Sequence, residues 1–308
     1  ASSGCERPAE PGPSSLTLVH DGMERAYDLF SPPAPLHEGP LPLVLDFHGA
    51  TATAGNEAAV TGFTDLAAQE GFFVVNPQGS GLLSYWNIES TSSTRLADDV
   101  GFVVALLDEI GAARCVDLTR IHATGLSNGG MFSSTLACAL ADRIASFAPV
   151  AGTHVPPDCG SPPVPLLITH GTDDPIVPYD GSGLLGDILG SGVLGLLTGD
   201  LGPMFSVTTT PIPEWVATWA DHNGCDPTPS SARIEPDVEV RTYGGCDGRG
   251  ALVFQVVEDG GHVWPGSTAH VDSEAIAGRT SMTIDATRRA WDFFASHPLP
   301  ADLVGATP

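Results

Sequence analysis

The sequence contains no lysine: its 12 basic residues are all arginine, against 37 Asp and Glu, and the formal net charge is −25. That balance argues against nucleic acid, whose binding rests on neutralising phosphates with Lys and Arg, and against docking on anionic membranes. Long apolar runs are also missing. The most apolar stretch, residues 184–201, is broken by Gly186, Gly190, Gly192, Gly195 and Gly199 and carries Asp187 and Asp200, so no membrane span is expected there. No Cys-x-x-Cys pair occurs, and no set of His, Asp or Glu needs a metal to explain it; neither metal nor cofactor is expected.

What is present is a globular composition of 308 residues, 42% hydrophobic, enough for a large core in one domain. The excess of acid reads as a solvated surface that favours solubility. Cys5, Cys115, Cys138, Cys159, Cys225 and Cys246 are even in number and widely spread, which fits structural disulfides and an oxidising compartment. The sequence starts at Ala1 without Met or an apolar leader, as a secreted protein does after signal cleavage. A secreted monomer is the expectation.

Residues 1–15 are rich in Pro, Gly and Ser and read as an irregular lead-in; 16–308 read as one catalytic domain. Apolar segments on either side of Asp21-Gly22 predict a hairpin. Short apolar runs follow at 43–47, 72–75, 121–124, 147–150, 166–169 and 252–257. Helical periodicity appears at 98–110, 130–141, 214–222 and 285–296. Alternation of this kind predicts an α/β fold, a mostly parallel sheet with helices on both faces.

The strongest chemical signal is Gly125-Leu126-Ser127-Asn128-Gly129, between an apolar strand and a helical stretch. In that context the pentapeptide predicts a sharp turn that lifts a nucleophilic Ser127 to the carboxyl edge of the sheet. A serine hydroxyl is inert at neutral pH without a base, and the base needs an orienting acid. Asp174 follows the 166–169 strand and His262 the 252–257 strand, the chain order this fold demands. Asp173 stands as the alternative acid, and His170 as a competing histidine better suited to tying down the acid loop. Backbone N–H groups of Asn128 and Ala50 are the expected oxyanion donors, with Thr51 as alternative to Ala50. His48, Trp86 and Trp264 are predicted to line the substrate site, where aromatic planes suit a flat acyl group. Trp264 could equally pack to hold the His262 loop.

In order and together, these motifs resemble the secreted polyhydroxybutyrate depolymerases and feruloyl esterases of the α/β-hydrolase fold, relatives of the acetylxylan esterases. The resemblance runs from about residue 16 to 298. Besides the serine motif it rests on Asp46-Phe47-His48-Gly49, His170-Gly171-Thr172-Asp173-Asp174-Pro175 and Gly261-His262-Val263-Trp264-Pro265-Gly266. It implies Ser127 as nucleophile, His262 as base, Asp174 as acid, and disulfides Cys5–Cys115, Cys138–Cys159 and Cys225–Cys246. The implied substrate is an extracellular ester, small or polymeric: a feruloyl ester or a polyhydroxyalkanoate, with a terephthalate polyester or acetylated xylan as alternatives. A catalytically silent binding protein is the reading of another class. One stretch departs from the family pattern, a Gly- and Leu-rich insert at about 181–212. Leu184, Leu185, Ile188 and Leu189 would give it one apolar helical face, suited either to a flap over the site or to packing on the body.

Overall fold

Asp21 and Gly22 both adopt left-handed backbone, at φ 48° and 74°. That is what a two-residue hairpin turn requires. They join β1 (Gly12–His20) to β2 (Met23–Ser31) in unbroken antiparallel register from Gly12↔Ser31 to His20↔Met23. The structure, a computed structural model, describes residues 1–6, 10–33, 39–88, 97–156, 159–181, 210–269 and 274–304. The predicted irregular lead-in over 1–15 is corrected here. Pairing with β2 draws Pro13, Ser14 and Ser15 into β1, and an edge strand tolerates a proline without an N–H. Ser3–Glu6 form a 3₁₀ turn, tied down by the Cys5–Cys115 disulfide and by Ser2 Oγ donating to Arg114 O at 2.6 Å.

Strands and helices then alternate: β3 (Leu41–Phe47), α1 (Ala54–Thr61), α2 (Phe63–Glu70), β4 (Phe73–Pro77), α3 (Asp99–Ala113), β5 (Val116–Leu126), α4 (Asn128–Ala139), β6 (Ser146–Val150) and β7 (Pro165–Gly171). After them come α5 (Ile212–His222), β8 (Ser230–Glu235), β9 (Val238–Tyr243), β10 (Ala251–Val257), α6 (Glu274–Ala277) and α7 (Ala286–Ser296). The strands form one sheet in the order β1-β2-β4-β3-β5-β6-β7-β10-β9-β8. The six from β4 to β10 in that order run parallel, flanked by antiparallel hairpins at both edges. Every residue of β3, β4, β6 and β7 is buried, which is why they read as continuous apolar runs.

Strand residues alternate between two cores. Leu43, Leu45 and Phe47 join Phe102, Phe132 and Trp219 of α3, α4 and α5, whereas Val44 and Val74 join Phe63, Trp291 and Phe294 of α2 and α7. Cys138–Cys159 staples the end of α4 to the β6–β7 connection, and Cys225–Cys246 links the chain beyond α5 to the β9–β10 connection. Of the insert, residues 182–209, with its predicted apolar face, lie outside the described residues. Its two ends meet, because the Ile212 N–H donates to Tyr179 O at 2.9 Å.

β3 has β4 on one side and β5 on the other. Winding therefore reverses at β3, and the connections after β3 and β5 leave toward opposite faces. Open α/β sheets form a crevice at such a point, at the carboxyl ends of the strands.

Candidate active site

β5 ends at Leu126 and α4 begins at Asn128, leaving Ser127 alone to make the turn. Its backbone lies at φ 58°, ψ −120°, a strained conformation for a residue with a Cβ. The Ser127 N–H donates to Val150 O at 2.9 Å, which anchors the turn on β6. Such tightness depends on glycine: a Cβ on Gly129 would stand 1.9 Å from Phe47 O, and one on Gly125 2.4 Å from the same oxygen. Ser127 thus sits half-buried at the N-terminus of α4, whose dipole favours negative charge.

Across the crevice, a Cβ built on Gly49 would lie 3.4 Å from Ser127 Cβ, so the loop after β3 passes directly over the serine. The Asn128 N–H belongs to the first turn of α4, where amides have no helical acceptor. The Ala50 N–H has no partner among the described residues. Thr51, the alternative donor, is spent: its N–H reaches Leu83 O at 2.8 Å and Ser84 O at 3.1 Å.

Asp174 and His262, the predicted acid and base, follow the ends of β7 and β10, which run parallel to β5 and open on the same sheet edge. His262 Nδ1 donates to Asp174 Oδ2 at 2.8 Å. Asp174 Oδ1 accepts the N–H groups of Ile176 and Val177, each at 2.8 Å. Burial alone would raise the Asp174 carboxyl; the His262 charge and hydrogen bond, with His170 and the Val177 N–H, outweigh it and hold it below the usual range. Asp173 is exposed, and among the described residues no base pairs with its carboxylate; its N–H is tied to Gly260 O at 2.9 Å. His170 Nε2 donates to Val177 O at 2.9 Å and lies 3.4 Å from Asp174 Oδ2, bracing the acid loop from below. The His262 loop is held by its own backbone: Gly261 N–H donates to Arg279 O at 2.9 Å and His262 N–H to Ala277 O at 2.5 Å.

Three predicted substrate contacts are corrected. Trp86, His48 and Trp264 are 0%, 0% and 1% exposed, leaving no face for a ligand. Trp86 stacks on Phe132 at 5.1 Å and meets Phe47 edge-on. Its Nε1 donates to His48 O at 3.0 Å, and its own N–H and C=O are both bound by the Asn128 side chain, at 2.7 and 3.1 Å. The tryptophan therefore locks the β3 loop, which carries Ala50, to the start of α4 at Asn128. His48 accepts the Gly79 N–H at Nε2, 2.8 Å, and donates from Nδ1 to Gly49 O at 2.7 Å, with burial pushing its pKa down. Trp264 donates from Nε1 to Thr287 Oγ1 at 2.9 Å and packs on Phe63, holding the His262 loop to α7.

Other features had no clear sequence signal. The Asn128 side chain acts as a clamp, although its backbone alone drew attention. Leu82, fully exposed, and Leu83 sit on a turn bonded directly to Thr51, beside the crevice. Glu57 is buried under the same loop. Among the described residues no group of His, Cys, Asp or Glu is arranged to hold a metal, and no helix is long and apolar enough to cross a membrane.

No family model matches the chain. In sequence it is 33% identical, over 45% of its length, to a bifunctional acetylxylan esterase/xylanase from Neocallimastix patriciarum. It is 28% identical over 72% of its length to feruloyl esterase B of Piromyces equi. The chain spans only 20% and 39% of the length of these two proteins. In structure it superposes on an acetyl xylan esterase from Aspergillus awamori with a TM-score of 0.58, covering 86% of this chain and 97% of that one at 15% identity, a likeness of fold. The sheet, with a strained serine at its switch point, has the α/β-hydrolase fold, and in sequence the chain is similar to feruloyl and acetylxylan esterases.

Proposed function

We propose that the protein is a serine carboxylic-ester hydrolase acting outside the cell on feruloyl or acetyl esters of plant polysaccharide. One observation carries the reading: a buried Asp174–His262 hydrogen bond of 2.8 Å on the same sheet edge as a serine at φ 58°. Ser127 Oγ attacks the ester carbonyl while His262 Nε2 takes its proton. Asp174 fixes the imidazole with Nε2 free and stabilises the imidazolium. The N–H groups of Asn128 and Ala50 bind the oxyanion, and His262 passes its proton to the departing alcohol. Water, deprotonated by His262, then releases the acid and restores Ser127. Three disulfides fit the oxidising compartment that this location implies. The kinship with esterases supports an ester rather than an amide or thioester.

An aliphatic polyester is the second reading, favoured by Leu82 and Leu83 at the crevice rim, where a water-insoluble chain would meet apolar side chains. The test is turnover of methyl ferulate, p-nitrophenyl acetate, a polyhydroxybutyrate suspension, and matched amide and thioester probes. Serine-dependent hydrolysis of the ferulate or acetate is expected. Turnover of the polymer alone selects the polyester. Preference for the amide or thioester, or no turnover at all, overturns the proposal.

A further inference from the structure

Two carboxyls that the reaction does not use lie beneath the oxyanion loop. Asp46 is the penultimate residue of β3 and Glu57 sits in the first turns of α1, and both are buried. Asp46 Oδ2 accepts from Thr61 Oγ1 at 2.6 Å and from Asn76 Nδ2 at 2.9 Å. Asp46 Oδ1 and Glu57 Oε1 are each buried with no donor. The backbone amides of Leu126 and Gly49 face the Glu57 carboxylate, so this side chain touches the chain on both sides of the crevice, next to Ser127 and Ala50. No arginine or histidine pairs with either carboxyl among the described residues: Arg25 is taken by Asp99 at 2.6 Å, and His48 spends both ring nitrogens on Gly49 and Gly79. Asn76 from β4 and Thr61 from α1 are neutral, and the charged group that acts on Glu57 is Asp46.

We propose that Asp46 and Glu57 share one proton between Asp46 Oδ1 and Glu57 Oε1, and that this pair positions the Gly49–Ala50 loop against Ser127. A single O–H···O bond satisfies both orphaned oxygens at once, leaving the pair one negative charge. Burial pushes Asp46 up to about 7, and burial followed by the Asp46 charge pushes Glu57 well above the usual carboxylate range, as a retained proton requires. Loss of that proton sets two buried anions against each other under the loop and displaces the Ala50 N–H. Both acids are positioning residues, and their effect on turnover rests on the catalytic reading given above.

The experiment compares wild-type protein with Glu57→Gln and Glu57→Ala. Gln donates an N–H to Asp46 Oδ1 without a titrating proton. The alkaline fall in kcat is therefore expected to move up by about one pH unit or more in Glu57→Gln. Glu57→Ala is expected to lower kcat about tenfold or more with little change in KM, because an oxyanion donor acts only in the transition state. Infrared titration of the wild-type protein reads the pair without any turnover: a protonated-carboxyl band persisting at neutral pH and absent from Glu57→Gln, or from Asp46→Asn should the first variant not fold. No such band in the wild-type protein, or an alkaline limb at the same pH in wild-type and Glu57→Gln, overturns the proposal. A wild-type protein with the band but no esterase activity would instead sink the functional reading alone.

Discussion

At Asp174 both carboxylate oxygens are engaged, one by His262 and one by two backbone amides, while its neighbour Asp173 faces solvent. The two residues are indistinguishable in composition and nearly so in spacing, so the residues alone favour Asp174 while keeping Asp173 as its alternative, and the family resemblance adds to Asp174. What separates them is the β7 loop, which turns Asp174 inward over His170. Asp174→Asn should therefore lower kcat by about 10⁴-fold by stabilising the wrong His262 tautomer. Asp173→Asn should cost less than about threefold, since surface changes away from a network are nearly neutral. Steady-state kinetics of the two variants on one ester checks this, and equal losses would remove Asp174 from its role. The corrected aromatics belong to the same scale. Trp86 and Trp264 look like ligand platforms in sequence because indole is used for both packing and recognition, and only burial tells the two apart.

Among the elements, those with a turn signal, strong periodicity or apolar runs were legible: the β1–β2 hairpin, β3, β4, β5, β6, β7 and β10, with α3, α4, α5 and α7. Those without such signals were not. β8 is exposed along its whole length, so nothing in Ser230–Glu235 marks it as a strand except its pairing with β9. Helix α1 buries only Ala54, Glu57 and Thr61, a stripe too polar to read as a helical face. Its start is set by Thr53, whose side chain accepts the Asn56 N–H. The bracing of α4 against the β3 loop was equally hidden, because it joins residues 42 and 38 positions apart, Trp86 to Asn128 and Trp86 to His48. Trp86→Phe keeps an aromatic face toward Phe132 but deletes the N–H to His48 O together with part of the indole volume. It should lower kcat for acetyl and feruloyl esters alike, with KM nearly unchanged. A rise in KM confined to the feruloyl ester would restore Trp86 to the substrate site.

For the whole molecule, net charge is the most visible property in sequence, yet stability toward acid turns on groups that add nothing to it. Burial pushes His122 down to about 3 and His154 to about 4, from an ordinary 6.5. Below about 6.5 the unfolded chain binds protons that the native protein refuses, so stability falls as pH drops from there toward 3–4. Asp46, raised to about 7, has the opposite sign: its contribution is complete below its unfolded value of 3.8 and is lost as pH rises toward 7. His122 is braced by Ser146 Oγ at 2.8 Å and stacked on Phe294. His122→Gln removes one proton uptake, so its stability should fall less steeply with acid than that of the wild type, by about 1.4 kcal/mol per pH unit. Denaturant unfolding at pH 6.5, 5.5 and 4.5 reads the slope, and parallel curves would contradict it.

The central claim is that Ser127 is the nucleophile, and mass spectrometry of protein treated with a fluorophosphonate tests it most directly. The account predicts a single adduct on the peptide carrying Ser127, complete loss of ester turnover, and neither label nor turnover in Ser127→Ala. An adduct on another residue, or turnover that survives Ser127→Ala, would contradict it.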